Sequence, residues 1–536
     1  MSLRKQSFIQ GAMILLAAGL LNRILGFVPR IALPRMIGAE GVGLIQLVFP
    51  FTVVLLTLIA GGIPLAVAKL VAEADARGDA REAGGILRTA LMISLSFSLV
   101  LAGICFLVSD FIATRIMTDP RVHTAFLTMI PVLPLVAASS VWRGYFQGKQ
   151  NMIPSALSST AETVFRVVLT IAFAWAFLPY GLEYAAAGAV LGMVVGELAG
   201  LAVLGAQLIG DRKNARAGTA TIAEPVSSLS VKRARPYPRP PSRTRAVLQT
   251  AIPVTGSKMI GSLSYLLESI LTVRCLTIAG VTAAGATAQY GALQGMVIPL
   301  LLLPGALTYS LAVSLVPSLS EAASRGDWAT IHARLHQSMR LAVVTGAPFV
   351  VLMGLLAGPL CSLLYGDDSM ADMLRWLAPL AIFLYMQAPL QAALQALDRP
   401  GTALFNTFAG AAVKLLLIVQ LAAKPEFGIG GAVIAIGVNM MLVTLLHWIS
   451  VARLTGFRMH PFDFLKVTSA MIVMSAVALW CWNESPLTAD IANLFVTGTL
   501  ATLSYLSLLV VLRIIDRRDA ERLPLLGRFF RPRKPT

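Results

Sequence analysis

Apolar segments of about 20 residues follow one another along almost the whole chain, and each is long enough as a helix to cross a hydrocarbon layer of about 30 Å. That recurrence constrains the fold more than any other feature. Only 13% of the 536 residues are charged and 57% are hydrophobic, whereas soluble domains carry about a quarter of their residues as charges. The segments are continuously apolar, without the alternation of an outer-membrane strand. The fold class is therefore all-α and polytopic. Spans are expected near 8–37, 41–70, 86–112, 122–146, 152–178, 185–209, 246–278, 285–318, 337–364, 371–396, 401–422, 428–452, 463–482 and 490–512, about fourteen transmembrane helices. The first segment is too long for a signal-peptide core and lacks a small-residue exit, so it reads as a retained span.

The formal charge of +17 is spread in a way that argues against nucleic acid. Its basic residues fall in alternate connections: Arg4 and Lys5; Lys69, Arg77, Arg81 and Arg88; Arg143 and Lys149; the stretch 211–245; Arg325, Arg334 and Arg340; Arg399; Arg453, Arg458 and Lys466. The opposite connections are neutral or acidic, as at Tyr365-Gly-Asp-Asp368 and Trp482-Asn-Glu484. By the positive-inside rule both termini lie in the cytoplasm. Segment 211–245 is rich in Arg, Pro and Ser and reads as a disordered basic linker. Its charges suit a topogenic role or contact with anionic phospholipids.

The linker divides two halves that resemble each other. Ala72-Glu-Ala-Asp-Ala-Arg-Gly-Asp79 matches Ser320-Glu-Ala-Ala-Ser-Arg-Gly-Asp327 at an offset of 248. At the same offset Gln147 aligns with Gln395 and Arg166 with Lys414, and after a short gap Gly188-Ala-Val190 aligns with Gly431-Ala-Val433. The expected domains are an N-terminal six-helix bundle at 1–210, the linker, a second bundle at 246–460, two further helices within 461–515 and a basic cytoplasmic tail at 516–536. Both halves begin on the same side, so they are parallel repeats, and carriers built this way bind substrate between the halves.

Enzyme chemistry finds no footing. There is no phosphate-binding Gly-x-x-x-x-Gly-Lys loop, no defensible triad, and no cofactor motif. His332 and His336 are four apart but lack an acidic ligand beside them, so no metal site is read there. Cys105, Cys275, Cys361 and Cys481 fall in or near different apolar segments and suggest buried small residues.

The informative residues are charges at membrane depth, where an arginine costs at least ~3 kcal/mol. Arg23 lies in the first apolar stretch, with Arg30 one heptad on and sharing its face, and Arg35 near the far end. Lys258, Glu268 and Arg274 interrupt the seventh span, and the repeat register places position 271 opposite Arg23. Glu162 and Arg166 are four apart, the spacing of an ion pair within a helix. Arg35 and Lys69 suit snorkelling to headgroups, and Glu183 and Glu197 read as interfacial or helix-packing residues. The excess of positive charge suits a phosphate-bearing substrate; an internal salt bridge that orients helices is the plainer alternative.

The stretches Asn22-Arg-Ile-Leu-Gly-Phe27, Arg35-Met-Ile-Gly-Ala-Glu-Gly-Val-Gly-Leu44 and Ala60-Gly-Gly-Ile-Pro-Leu-Ala-Val-Ala-Lys-Leu-Val-Ala-Glu73 resemble the stage V sporulation protein B group of polysaccharide transporters. That group belongs to the multidrug/oligosaccharidyl-lipid/polysaccharide (MOP) exporter superfamily. The resemblance implies V-shaped six-helix bundles, alternating access, and an undecaprenyl-diphosphate-linked sugar such as lipid II as substrate. Related lipid II flippases carry an Arg-x-Leu-Gly-Phe motif whose arginine Arg23 matches; their next arginine falls where this chain has Pro29.

The expected function is thus a flippase with Arg23, Arg274 and Lys258 on the diphosphate, Glu268 orienting Arg274, and Arg30, Arg166 and Glu162 lining the cavity. A gradient of H+ or Na+, or the membrane potential, would drive a monomer. The rival readings are an ion-coupled exporter of small amphipathic cations using Glu268 or Glu162, and a non-transporting scaffold for cell-wall or spore-coat synthesis.

Overall fold

A computed structural model describes residues 8–221, 242–459, 461–484 and 490–514. Regular structure among them is entirely helical. The chain forms two compact units, Met1–Gly295 and Met296–Thr536.

The first unit holds α1 (Phe8–Leu25), α2 (Val28–Ala60), α3 (Ile63–Ala76), α4 (Ala80–Leu107), α5 (Ser109–Phe111), α6 (Val122–Met129), α7 (Val132–Gly148), α8 (Ile153–Phe177), α9 (Leu182–Thr221), α10 (Arg243–Ile278) and α11 (Ala283–Gly291). The second holds α12 (Ile298–Leu302), α13 (Gly305–Ser324), α14 (Trp328–Leu355), α15 (Ala357–Tyr365), α16 (Ala371–Leu377), α17 (Ala381–Ala396), α18 (Pro400–Leu417), α19 (Ile429–Thr455), α20 (Pro461–Asn483) and α21 (Asp490–Val511).

Among the described residues eleven helices are long and apolar enough to cross a membrane, or twelve if the bent pair α16–α17 is one span. The expected fourteen are not confirmed. The run Met13–Ala76 counts once, at 64 residues, where two spans were expected. The expected span at 285–318 is divided among α11, a π-helical turn at Ala292–Val297, α12 and α13. The linker range is partly helical, since α9 runs to Thr221 and α10 starts at Arg243. Residues 222–241 and the basic tail lie outside the described residues.

Local sequence explains where the helices break. Pro29 starts α2, and a turn at Gly26-Phe27 separates it from α1; proline suits a first helical turn because it lacks the N–H that would have no partner. Gly38 adopts φ +66° within α2, a conformation glycine reaches without penalty. The Gly61-Gly62 pair ends α2 and begins α3 against α10. A Cβ on Gly62 would lie 2.1 Å from the Ala251 carbonyl oxygen, so only glycine permits that approach.

The repeat is written into the backbone. Gly78 and Gly326 share positive φ, at 71° and 68°. Each is followed by an aspartate that caps the next helix: Asp79 accepts from the Glu82 N–H at 2.9 Å and Asp327 from that of Thr330 at 3.0 Å. Two further positive-φ pairs, Thr118 with Gly366 and Gln150 with Asp398, are also 248 residues apart.

In lipid, association rests on close packing rather than water exclusion. Gly192, Gly196 and Gly200 of α9 lie against α8, where a Cβ would meet Thr170, Arg166 and Glu162 within about 3 Å. In the second unit α20 and α21 pack on α14, burying Met474, Ala478, Ala501, Tyr505 and Leu509. The Tyr505 hydroxyl donates to the Val344 carbonyl at 3.0 Å. Tyr365 and Tyr385 donate likewise to the carbonyls of Met296 and Leu301.

Candidate functional site

The densest set of membrane-depth charges lies among α7, α8 and α9. Glu162 accepts from Arg166 at 2.9 Å and from Arg143 at 2.7 Å. The spacing of four gave the first of these bonds; the second comes from a neighbouring helix. Arg143 was counted with the loop charges, yet it lies within α7, inside an apolar span. Glu197 of α9 is buried and takes a 2.5 Å hydrogen bond from the Ser139 hydroxyl. It lies near enough to Glu162, Arg143 and Arg166 to feel their charge. Sequence reasoning had set Glu197 aside as interfacial or packing. Ser158 donates to the Gly200 carbonyl at 2.9 Å, and Asn22 of α1 donates to Ser159 at 3.2 Å. The cluster thereby ties α1 to the α7–α9 core one residue before Arg23.

Arg23 occupies the last turn of α1 and Arg30 the first turn of α2, both with exposed side chains. A two-residue turn at Gly26-Phe27 lies between them, with the Gly26 N–H still donating to the Asn22 carbonyl at 2.9 Å and Phe27 in the right-handed helical region. Both lie in an apolar segment, and each has a polar or electrostatic partner.

The charges of α10 separate. Glu268 is 5% exposed and accepts from Gln294 Nε2 at 2.7 Å. Gln294 belongs to the π-helical turn, a geometry frequent at functional sites. Tyr265 lies near both Glu268 and Arg30. Arg274 is exposed and donates to the Arg115 carbonyl. It does not pair with Glu268: six residues apart on a helix, the two point about 120° away from each other. Lys258 donates to the Gly61 carbonyl at 2.7 Å, serving the α2–α3 break.

The Gly-Ala-Glu-Gly stretch has a defined setting. A Cβ on Gly43 would lie 2.1 Å from the Thr287 carbonyl oxygen, so α2 and α11 cross backbone to backbone. Beside that crossing Arg121 bridges Glu40 at 2.6 Å and Asp119 at 2.8 Å, and Thr287 donates to Asp119 at 2.9 Å. Burial would push the Asp119 carboxyl up, but the hydrogen bonds from Arg121 and Thr287 prevail and hold it below the ordinary range. The carboxylates in turn, Asp119 first and Glu40 after it, raise Arg121 against the opposing effect of burial.

In the second unit an apolar cavity of about 490 Å³ lies among α14, α17, α19 and α20, with Met386, Trp448 and Phe464 in its wall. His332 bonds the Thr455 carbonyl at 2.7 Å and His336 pairs with Asp463 at 2.9 Å, so both histidines tie helix ends. No metal-binding group of His, Cys, Asp and Glu occurs among the described residues.

Residues 8–323 match the family described as polysaccharide biosynthesis protein. Stage V sporulation protein B of Bacillus subtilis (strain 168) is 38% identical over 98% of this chain and 99% of its own length. The lipid II flippase MurJ of the same organism is 24% identical over 88% of this chain and 86% of its own. Among solved structures, lipid II flippase MurJ in an inward closed conformation has a TM-score of 0.68 at 13% identity, covering 94% of this chain and 98% of that one. An inward-facing multidrug resistance MATE family transporter of the MOP superfamily has a TM-score of 0.63 at 14% identity, covering 81% and 94%. With its apolar helices, its helical repeats and these relatives together, the chain is a multi-pass membrane protein of the polysaccharide biosynthesis protein family, of the stage V sporulation protein B type.

Proposed function

We propose that this protein is a flippase that moves an undecaprenyl-diphosphate-linked sugar, lipid II or a related polysaccharide intermediate, across the bacterial cytoplasmic membrane by alternating access. The observation that carries the reading is the pair Arg23 and Arg30, two exposed guanidinium groups flanking a helix break in an otherwise apolar segment. Such a pair supplies forked donors to a diphosphate while the lipid tail stays in the bilayer. The name of one relative, the lipid II flippase MurJ, and the family description, polysaccharide biosynthesis protein, support the same substrate class. Lys258 and Arg274 each already hold a backbone carbonyl. Their part is to fix α10 beside the site, with Tyr265 near Arg30. Glu162 and Arg166 stiffen the wall behind Arg23. An ion gradient or the membrane potential drives the cycle, with both termini in the cytoplasm and the 211–245 segment against anionic headgroups. No bond of the substrate is made or broken.

The test is a lipid II accessibility assay in cells depleted of their own flippase. Arg23→Ala with Arg30→Ala is expected to lower flipping at least tenfold at unchanged membrane abundance, and normal flipping by this double variant would overturn the site. Export of small amphipathic cations is the rival, and efflux abolished by Glu268→Gln with lipid flipping untouched would establish it.

A further inference from the structure

Glu197 has 7% of its surface exposed, and the Ser139 hydroxyl oxygen lies 2.5 Å from its Oε1. The same oxygen lies 3.3 Å from the Val136 carbonyl. A serine hydroxyl has one proton to give. Donated to Glu197, it leaves the Val136 contact unfilled. Donated to Val136, it makes Ser139 an acceptor, and the short contact then requires a proton on Glu197. The pair therefore has two arrangements that differ by one proton and the rotation of one hydroxyl.

The surroundings supply a consequence for that proton. The charged groups near Glu197 are Glu162 and Arg166 of α8 and Arg143 of α7. Glu162 engages both arginines, at 2.7 and 2.9 Å. On the other helices packed against α9, His123 of α6 bonds Ser109, Glu40 of α2 bonds Arg121, Arg30 lies by Tyr265, and Arg35 follows in α2. An ionised Glu197 at this depth needs a cation, and the cations at hand are the two that Glu162 holds. Gly196 and Gly200 press the α9 backbone onto Arg166 and Glu162, so an exchange of partners is felt at the helix crossing.

We propose that Glu197, with Ser139 as its hydroxyl partner, is a proton-binding site that couples transport to a pH gradient by competing with Glu162 for Arg143 and Arg166. The inference rests on the transport reading above. In each cycle the O–H bond of the Glu197 carboxyl forms and breaks once, with water on the two sides of the membrane as source and acceptor.

The full-length protein, purified and reconstituted, tests this in two ways. Infrared difference spectra should show the carbonyl band of a protonated carboxyl that is lost in Glu197→Gln and shifted in Ser139→Ala. A band that survives Glu197→Gln, or that Ser139→Ala leaves in place, overturns the site. In vesicles carrying an undecaprenyl-diphosphate sugar, a gradient of one pH unit should shift the lipid's distribution up to about tenfold for one coupled proton, and Glu197→Gln should abolish the shift. A shift retained in Glu197→Gln overturns the coupling. Wild-type protein that moves no lipid, yet shows the band and loses it in Glu197→Gln, keeps the proton site and overturns the transport reading.

Discussion

In the first unit Glu162 holds Arg143 and Arg166; 248 residues on, the same positions are Gly410, Gln391 and Lys414. Ser139, which bonds Glu197, corresponds to Gln387, which donates to the Met440 backbone carbonyl at 3.1 Å. Gly410 is packed so tightly that a Cβ would lie 2.2 Å from Val443 Cγ2. The first half therefore centres these helices on a carboxylate held by two arginines, while the second has a glycine contact and a neutral amide at two of the equivalent positions and keeps only the cation, Lys414, at the third. Both arrangements hold neighbouring helices together, and the carboxylate is what distinguishes the first.

That contrast can be broken at its centre by Glu162→Ala, which strands two arginines in an apolar bundle. It should cost roughly 2–3 kcal/mol, between an exposed pair and a fully buried one because Arg143 and Arg166 are 27% and 38% exposed, seen as a fall in the melting temperature of the purified protein. A loss below about 1 kcal/mol would place the cluster with surface pairs and erase the contrast. On the opposite side, Gly410→Ala should cost about 1–3 kcal/mol through overpacking against Val443. Gly401→Ala, where a Cβ meets open space, serves as its control.

A third measurement separates charge at membrane depth from charge outside it. The Asp119 carboxyl is held below its ordinary value in the folded protein. Its contribution is therefore complete above the unfolded aspartate value of about 4 and is lost as pH falls through the lower folded value. Melting temperature followed downward from pH about 5 should fall more steeply in the wild type than in Asp119→Asn. The smallest effect is a symmetric one. Asp79→Ala and Asp327→Ala remove equivalent helix caps and should lower the melting temperature by small, matching amounts; a clear inequality would show that the repeats differ even in their turns.

Much of this was legible in the residues. Apolar length gave the helical membrane class, and the Arg-Gly-Asp turns gave the repeat, because a left-handed glycine followed by a capping aspartate is a local device. The Glu162–Arg166 pair was legible for the same reason, its spacing lying within one helix. What the sequence withheld depends on contacts between helices. Arg143 looked like a loop residue until α7 was seen to carry it against Glu162. The two-residue turn between Arg23 and Arg30 was not legible either, since nothing in the apolar run around it marks a break except Gly26 and Pro29. Glu268 and Arg274 shared a depth but not a face. The span count is not confirmed at two places, where the run Met13–Ala76 counts once and where a π-helical turn and short helices divide the apolar segment at 285–318.

The hydroxyl of Tyr505 bears on how this family's sequences are expected to change. It donates to the Val344 carbonyl, whose usual helical partner four residues on is Pro348, a residue with no N–H to give. In lipid such a carbonyl must find another donor, and here it finds one on the appended helix α21. Pro348 and Tyr505 thus form a single hydrogen-bonding unit across 157 positions of chain. Relatives that lose the proline are free to replace the tyrosine with phenylalanine, while those that keep the proline should keep a donor at that site. The joint pattern of the two positions in an alignment would therefore date when the last two helices became indispensable to the fold.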